Sequence, residues 1–544
     1  MESGTEAHQI PSSHLDEIKY NALADINQDP ITYKQAVTSK EKKQWLGAVD
    51  EELESMRKNN VWIYVDRPKQ NVIDSRWLFK KKPNKDGGIK YKARLVIRGF
   101  KDTNQYDLRE TYAPVARLPT VRIVLAIINK LNLDAIQLDV KTAFLNGTIH
   151  EEIFMEVPDG LDVSQRFRDE KVCKLQKALY GLRISPKRWN RKFTEEVSKL
   201  GLKSMRNEPC LFIWRDKSKI AILLLYVDDM IVASNHPPKL QEICETLHSV
   251  FEMSDLGEPK LFLGMNIRRD RDHTILELSQ REYILKILNR FEMSEVKPMS
   301  TLMVKRSEKE KNNTPINCEE SELVVPFREA IGSLLYLSGT TRLDITYAVN
   351  VLSRCQSKPT VEDWVAVKRV FRYLKGTLDE KLKYRGRDET LILYTDASFS
   401  DLPGSKSTEG YLIKLYGDAV VWRSHKQGFV AMSTHEAEFL ALSTGCMEAV
   451  ATNSLLEFIL DEKFIPIECW CDNSAAVACV KKENTIALRH NVERHKDYAI
   501  DCTEKGLVNV EWVNSDHQLA DVFTKALPKK DFDPHLNSLL GKGF

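Results

Sequence analysis

Residues 220–233 read Ile-Ala-Ile-Leu-Leu-Leu-Tyr-Val-Asp-Asp-Met-Ile-Val-Ala, two apolar runs on either side of Asp228 and Asp229. Both runs, Ile220–Tyr226 and Met230–Ala233, have the length of strands, and the polar pair between them predicts the tight turn of a β-hairpin. Two adjacent carboxylates at the tip of an apolar hairpin repel each other and lose hydration, and a bound cation would offset both costs. An Asp-Asp turn alone is weak evidence for a site, because most such turns lie on the surface.

A third carboxylate follows another apolar run. Ala135–Val140 is predicted to be a short buried strand, and Asp139 lies near its end. A fold that places this strand beside the hairpin gathers Asp139, Asp228 and Asp229. Oxygen-only ligands select hard cations, so Mg²⁺ is the expected ion, with Mn²⁺ as the alternative. Two such ions ~4 Å apart can drive in-line phosphoryl transfer.

The composition is that of a globular protein with a sizeable core. The 544 residues allow three or four domains, and 42% hydrophobic with 29% charged residues excludes wholesale disorder, collagen and coiled coil. No uncharged apolar stretch approaches ~18 residues, and the N-terminus lacks the pattern of a secretory signal, so we expect no membrane partner. The ten scattered Cys indicate reduced thiols inside a cell.

The charge is segregated along the chain, although 80 basic and 78 acidic residues give a net charge of only +2. Ten basic residues lie between Arg76 and Lys101, opposed only by Asp86 and Asp102, and eight lie between Lys171 and Phe193 with no acid among them. Aromatic residues such as Tyr91 and Tyr180 are interleaved with them. Such clusters are typical of surfaces that bind backbone phosphates, and a solvated charged face is the alternative.

A second set of carboxylates lies in the C-terminal third, where strands alternate with helices and predict a compact α/β domain. Taken singly, each of these acids reads as a helix cap or a surface group. Together they could converge on one metal cluster. In chain order they are Asp396 after an apolar strand, Glu436 at the start of a helical run, Asp472 after another strand and Asp521 in a late helical segment.

Five segments carry distinctive motifs: 91–100 (YKARLVIRGF), 138–147 (LDVKTAFLNG), 179–186 (LYGLRISP), 226–229 (YVDD) and 263–267 (LGMNI). In order and spacing these motifs resemble the reverse transcriptases of copia-type LTR retrotransposons. The second set of carboxylates resembles the ribonuclease H domain that follows the polymerase in that family. One departure is Arg183-Ile184, where the family usually has Lys-Gln.

The resemblance implies a role for each of these residues. The metal ligands of the polymerase would be Asp139, Asp228 and Asp229, and those of the nuclease would be Asp396, Glu436, Asp472 and Asp521. The nearby Glu438 could be mistaken for Glu436, which the order of residues in the family favours. The residues that would contact the nucleotide are Lys92 and Arg94 as alternative triphosphate clamps, Phe144 as the steric gate against a ribose 2′-hydroxyl, and Tyr180 and Gly181 beneath the nucleotide.

The resemblance also implies an α+β fold, with a right-hand polymerase of fingers, palm and thumb followed by a connection and a ribonuclease H-like α/β domain. The expected segments are 1–34 as a polar linker or tail, 35–300 as fingers and palm, 301–388 as thumb and connection, 389–530 as the ribonuclease H-like domain, and 531–544 as a C-terminal tail.

The function expected from this resemblance is that of an RNA-directed DNA polymerase with ribonuclease H activity. Its partners would be an RNA template, a DNA or tRNA primer, RNA–DNA hybrid and deoxynucleoside triphosphates, in cytoplasmic virus-like particles or the nucleus. No aspartic-protease or integrase zinc motif is recognised, so the chain is expected to lack the upstream protease and integrase. The alternatives are a decayed or co-opted nucleic-acid-binding fragment, which Ile184 would favour, and a nuclease whose polymerase half only binds.

Overall fold

The structure is a computed structural model that describes residues 29–83, 88–303, 325–401, 406–484 and 489–542. Most of the predicted N-terminal linker or tail, 1–34, and part of the predicted thumb and connection region, 301–388, lie outside these residues. The chain forms two compact units. The first contains residues up to Ala116 together with Ile136–Glu258, and the second contains Arg117–Ala135 together with the chain from Pro259 onward.

Helices and strands are mixed in both units, which confirms the predicted α+β class. The strands are β1 Trp62–Asp66, β2 Val72–Ile73, β3 Ser75–Pro83, β4 Ile89–Ile97, β5 Asp134–Val140, β6 Phe154–Met155, β7 Lys171–Leu175, β8 Lys203–Met205, β9 Glu208–Asp216, β10 Lys219–Tyr226, β11 Asp229–Ser234, β12 Met253–Asp255, β13 Leu261–Phe262, β14 Met265–Asp270, β15 Ile275–Ser279, β16 Leu382–Tyr384, β17 Leu391–Ser398, β18 Thr408–Leu415, β19 Asp418–Lys426, β20 Ile467–Cys471 and β21 Val508–Trp512. The helices are α1 Tyr33–Thr38, α2 Lys42–Lys58, α3 Leu108–Thr111, α4 Leu118–Lys130, α5 Gln165–Glu170, α6 Ser185–Lys199, α7 Pro237–Val250, α8 Arg281–Arg290, α9 Phe327–Thr340, α10 Thr346–Ser353, α11 Val361–Gly376, α12 Thr434–Leu460, α13 Ser474–Val480, α14 His490–Glu504 and α15 Lys529–Leu539.

A six-stranded sheet in the order β12-β5-β11-β10-β9-β8 forms the centre of the first unit. The predicted hairpin is confirmed: β10 and β11 pair antiparallel, and Tyr226 lies opposite Asp229. Residues 221–225 are buried without alternation, as expected for a strand covered on both faces. Because β5 lies beside β11, Asp139 is brought next to the tip of the hairpin. The same unit contains the sheet β1-β7-β6-β2 and the hairpin β3-β4.

The second unit contains a mixed five-stranded sheet in the order β19-β18-β17-β20-β21. Strands β17, β20 and β21 run parallel, so their carboxyl ends meet at one edge. Helix α12 crosses this sheet so closely that a Cβ at Gly445 would overlap the Thr395 side chain. Helix α4 contacts β19, where Arg122 stacks on the Trp422 ring at 3.7 Å and donates a 2.7 Å hydrogen bond to the Val420 carbonyl. A further sheet has the order β13-β14-β15-β16.

Helix α12 is long and apolar enough to cross a membrane by length and composition alone, and it is the single such helix among the described residues. Two thirds of its most apolar window, 67%, is nevertheless buried inside the protein. The continuous apolar character of the helix therefore corresponds to contacts on most of its faces, as in the core helix of a globular domain.

The domain limits predicted from the sequence stay predictions, because compact units and evolutionary domains are different divisions of a chain. Within the segment predicted as a C-terminal tail, α15 is an ordered helix. Its Phe532, Leu536 and Leu539 side chains are buried.

Candidate active sites

The first carboxylate centre lies where β5 ends beside the hairpin of β10 and β11. The Val140 amide donates a 2.9 Å hydrogen bond to the Asp228 carbonyl, which ties the end of β5 to the turn. Val227 has a positive φ of 60°, and its carbonyl accepts a 2.6 Å hydrogen bond from the Trp189 indole nitrogen. The structure thus brings Asp139, Asp228 and Asp229 together by fixing the backbone that carries them.

The carboxylates of this centre lie close enough together for their charges to interact. Burial, and next the charge of Asp228, raise the pKa of Asp139, whereas Lys92 and a hydrogen bond with Asp229 lower it. All three carboxylates remain half-buried rather than enclosed. A cation among them would relieve the repulsion, and an oxygen-only set suits a hard divalent ion.

Phe144, the predicted steric gate, is buried on a 3₁₀ helix, Ala143–Asn146, directly after β5. Its ring contacts the Tyr180 ring with a centroid distance of 4.8 Å. Tyr180 in turn lies beneath the Arg94 guanidinium, 5.7 Å from the ring centroid. Two predicted nucleotide-binding aromatic residues thus form one contiguous surface.

Gly181 is required by the close approach of two backbone segments. It has a φ of +99°, and a Cβ at this position would overlap the Ile97 carbonyl oxygen. The Ile97 amide donates a 2.9 Å hydrogen bond to the Tyr180 carbonyl, so the end of β4 is bonded to this motif. Gly99 is required for the same reason, because a Cβ added at this position would overlap the Gly181 carbonyl oxygen. These two glycines hold β4 and the 179–186 motif in register.

The two candidate triphosphate clamps have different surroundings. Arg94 makes a 2.6 Å ion pair with Glu52, whose side chain is only 1% exposed, so its charge is already engaged. The pKa of Lys92 is lowered to about 8, first by burial and then by the Arg94 and Lys82 charges, while Asp228 and Asp139 raise it. Lys92 is therefore the clamp candidate that interacts with the carboxylate centre.

Most of the second basic cluster is engaged in ion pairs within the first unit. Acidic residues from other parts of the chain, and for Arg191 and Lys192 from four positions further along α6, pair with it, which reduces the charge available to phosphates. The pairs are Lys171 with Asp66, Lys174 with Glu152, Arg188 with Glu110 and Glu151, Arg191 with Glu195, and Lys192 with Glu196.

Ile184, the departure from the family pattern, is fully buried in the core of the first unit. Just beyond it, the buried Ser185 hydroxyl donates a 2.7 Å hydrogen bond to the Leu179 carbonyl and closes the motif on itself. An apolar side chain suits this enclosed position, so Ile184 does not indicate decay.

The second carboxylate centre forms at the carboxyl edge of the five-stranded sheet. Thr395 pairs with Cys471 in the parallel β17–β20 ladder, so Asp396 and Asp472 emerge side by side. Asp521 reaches them from a 3₁₀ helix, Leu519–Phe523. One carboxylate oxygen from each of these three residues lies within 4.8 Å of the other two. Three of the four predicted nuclease carboxylates are therefore gathered by the fold.

A lysine that was not predicted from the sequence lies on this centre. The Lys525 Nζ is 2.9 Å from Asp521 Oδ1 and 3.3 Å from Asp396 Oδ1. The Thr524 hydroxyl donates to the other oxygen of Asp396. Burial, and next the Asp396 charge, raise the pKa of Asp521 to about 7 despite this contact.

The helix carboxylate at this centre is Glu438, which corrects the prediction of Glu436. Glu436 turns away and accepts hydrogen bonds from Arg489 Nη2 at 2.6 Å and from the Met432 amide at 2.7 Å. An oxygen of Glu438 lies within 4.8 Å of oxygen and sulfur ligand atoms of Asp472 and Cys471. Two positions apart on a helix, the two side chains point about 200° apart.

The environment of the Glu438 side chain favours a bound cation at this centre. Its side chain is 7% exposed, and its Oε2 has no hydrogen-bond partner within the part of the chain that the structure describes. Burial, and next the charges of Asp396 and Asp472, raise the pKa of Glu438 well above its usual range. A buried acceptor without a donor costs free energy that a cation would recover.

A sequence signal separates the two glutamates. Ser433 lies three residues before Glu436, and Ser-x-x-Glu is the pattern of a helix capping box. In the structure the Ser433 hydroxyl accepts a 3.2 Å hydrogen bond from the Glu436 amide, which places Glu436 in the first turn. No comparable pattern marks Lys525 or Cys471.

Comparison with known proteins shows the family to which the chain belongs. The family described as reverse transcriptase (RNA-dependent DNA polymerase) matches residues 59–305. The retrovirus-related Pol polyprotein from transposon TNT 1-94 of Nicotiana tabacum is 34% identical over 97% of this chain and 40% of its own length. The putative transposon Ty5-1 protein of Saccharomyces cerevisiae is 33% identical over 57% of this chain and 100% of its own length.

Among solved structures, a foamy viral protease–reverse transcriptase in complex with double-stranded DNA matches with a TM-score of 0.45 and 11% identity, over 87% of this chain and 70% of that one. The chain spans about two fifths of the length of the tobacco relative. The sequence matches and the motifs that carry them agree, and the chain therefore belongs to the reverse transcriptase family of copia-type retrotransposon Pol polyproteins.

Proposed function

We propose that this chain copies RNA into DNA and cleaves the RNA strand of RNA–DNA hybrids. The observation that carries the proposal is the convergence of two separate carboxylate centres in a chain of this family. In the first unit Asp139 shares a hydrogen bond with Asp229 and interacts with the charge of Asp228. In the second unit Asp396, Asp472 and Asp521 approach one another, and Glu438 approaches Asp472.

For DNA synthesis, Asp139, Asp228 and Asp229 would hold Mg²⁺, which supplies the positive charge that activates a primer hydroxyl and neutralises the leaving pyrophosphate. Lys92 would contact the triphosphate, since its charge interacts with both Asp228 and Asp139. Phe144, fixed against Tyr180, would exclude a ribose 2′-hydroxyl. The substrates are deoxynucleoside triphosphates, an RNA or DNA template and a DNA or tRNA primer.

For RNA cleavage, Asp396, Glu438, Asp472 and Asp521 would hold divalent ions that activate water for attack on a phosphodiester. The Ser515 hydroxyl donates a 2.9 Å hydrogen bond to Asp472 Oδ2 and orients that carboxylate. Mg²⁺ is the ion we propose for both centres, because carboxylates supply their ligands in common.

The alternatives have weaker support. A decayed or co-opted fragment does not need seven converging carboxylates, and the burial of Ile184 removes the residue that favoured it. A nuclease with a purely binding first unit does not explain why Asp139, Asp228 and Asp229 are held together in that unit.

A template-extension assay tests the polymerase. The purified chain should extend oligo(dT) on poly(rA) with dTTP and Mg²⁺, and Asp228→Asn should reduce the rate at least about a hundredfold, more than loss of an outer-shell partner of a metal costs. Asp216→Asn, which changes an exposed carboxylate of the same sheet, is the matched control. An Asp228→Asn protein as fast as wild type would contradict the assignment.

A labelled RNA–DNA hybrid tests the nuclease in the same preparation. Asp472→Asn should abolish RNA cleavage and leave extension of the primer unchanged, because the change lies in the other unit. If cleavage persists at the wild-type rate in this variant, the second centre is not a nuclease site.

A further inference from the structure

A thiol lies directly beside the second carboxylate centre. The Cys471 Sγ and one carboxylate oxygen each of Glu438 and Asp472 all lie within 4.8 Å of one another. Asp472 is shared with the group formed by Asp396 and Asp521. The centre therefore contains two overlapping ligand sets, one of oxygen atoms only and one that includes sulfur.

The sulfur-containing set has the features of a built site. Cys471 is fully buried, and the Glu438 Oε2, also buried, has no hydrogen-bond partner among the residues that the structure describes. Asp472 is half-buried and gives the set an opening to solvent. The Glu438 carboxylate oxygen has no donor and lies beside the Cys471 sulfur. A bound cation would interact favourably with both atoms, whereas packing alone leaves the carboxylate oxygen without a partner.

The ligand chemistry selects among cations. Mg²⁺ binds oxygen ligands and has little affinity for sulfur, whereas Zn²⁺ and Cd²⁺ combine thiolate and carboxylate ligands in tetrahedral sites. We propose that Glu438, Cys471 and Asp472 form a site for a thiophilic divalent cation, and that an ion bound there blocks RNA cleavage. The blocking rests on the proposed nuclease function, but the binding does not.

Binding needs only the loss of one proton. The sulfur–metal bond forms as the thiol proton leaves for solvent, with no change of oxidation state. Burial, and next the Glu438 charge, raise the pKa of the Cys471 thiol, so the bound cation itself has to supply the charge that stabilises the thiolate. Once bound, the ion would occupy Asp472 and Glu438, two of the oxygen ligands that Mg²⁺ requires for catalysis.

Cadmium provides a readout that is independent of catalysis. Titration of the full chain with Cd²⁺ should produce the ultraviolet charge-transfer band of a cadmium–thiolate bond. Cys471→Ser and Cys471→Ala should each lose the part of this band that saturates first. Cys469→Ser is the matched control, since Cys469 is buried two residues earlier on the same strand, contacts Cys446 and belongs to neither ligand set. The melting temperature of each metal-free variant shows whether it is folded.

A second variant and a second measurement keep the test independent of folding. Glu438→Gln keeps the thiol and should weaken Cd²⁺ binding about tenfold or more, as expected when a ligand is lost. With Mg²⁺ fixed, Cys471→Ser should require about ten- to a hundredfold more Zn²⁺ for half-inhibition of RNA cleavage than Cys469→Ser.

The outcomes separate this proposal from the proposed function. Unchanged Cd²⁺ binding in both Cys471 variants, or equal Zn²⁺ sensitivity of Cys471→Ser and Cys469→Ser, would overturn the site. A chain that shows the Cys471-dependent band but cleaves no RNA would keep the site and refute the nuclease.

Discussion

The two carboxylate centres face the same electrostatic problem and place their lysines differently. In the first unit Lys92 comes from the β3-β4 hairpin, and its pKa is lowered to about 8, mainly by burial. In the second unit Lys525 touches Asp521 and Asp396 directly, and these charges raise the pKa of Lys525 despite its burial. Lys92 thus interacts with the carboxylates of its centre through its charge, whereas Lys525 makes direct ion pairs with Asp521 and Asp396.

The two centres therefore hold neighbouring carboxylates together in different ways when no metal ion is bound. Around Asp139 and Asp228 the repulsion is only partly offset, and the half-buried groups remain partly exposed to solvent. Around Asp396 and Asp521 an ammonium already lies close to where a cation would bind. The first centre should therefore accept Mg²⁺ without displacing a protein group, and the second should have to displace one.

The largest effect that would sharpen this comparison is expected at Glu438. Glu438→Gln should reduce RNA cleavage about a hundredfold, because it removes the carboxylate that lies beside Asp472. Glu436→Gln should cleave within a few-fold of wild type and show its effect as a lower melting temperature, since it loses the Arg489 ion pair. Single-turnover cleavage of an RNA–DNA hybrid measures the rates of both variants. A larger loss of cleavage in Glu436→Gln than in Glu438→Gln would restore Glu436 as the ligand.

Lys92 should make DNA synthesis sensitive to pH. As a triphosphate clamp, Lys92 would bind only in its protonated form, so the KM for dTTP should rise as pH passes about 8, by about tenfold for each further unit. Lys92→Arg keeps its charge and should show a flat profile over the same range. Over the same pH range the rate of RNA cleavage should not change through deprotonation of Lys525, because the pKa of Lys525 is raised rather than lowered. An identical alkaline limb in wild type and Lys92→Arg would exclude this role.

Lys525 should produce the smallest effect. A partly exposed ion pair is worth about 1 kcal/mol, so Lys525→Met should lower the Mg²⁺ concentration for half-maximal RNA cleavage about fivefold. Lys529→Met, which removes an exposed lysine four residues later, is the control. A higher Mg²⁺ requirement in Lys525→Met would mean that this lysine assists metal binding instead of competing with it.

The sequence predicts the elements that carry the first centre because its signals are local. The apolar runs around Asp228 have strand length, and Asp139 ends a similar run, so only the pairing of β5 with β11 needed the structure. In the second centre, the two strand aspartates follow from the rule that parallel strands share a carboxyl edge.

The remaining features depend on contacts between distant residues. The choice between Glu436 and Glu438 is an exception: all residues from Glu436 to Ser443 are buried, so periodicity along α12 could not separate the two, but the local capping pattern from Ser433 could. Arg94 is held by Glu52, and Lys171 by Asp66, across 42 and 105 positions respectively, and no window of sequence shows that neutralisation. The position of Lys525 depends on the turn of the 3₁₀ helix before it.

The mutual approach of Gly99 and Gly181 has a consequence for the history of genomic copies. Every first- or second-base change in a glycine codon that does not create a stop codon adds a side chain, and at either position its first atom would overlap a backbone carbonyl oxygen. No rotamer relieves such an overlap. A copy with a substitution at either codon should therefore lose the register between β4 and the 179–186 motif even when all of its aspartates are intact. Intact aspartates alone are thus not a sufficient sign that a genomic copy still encodes this fold.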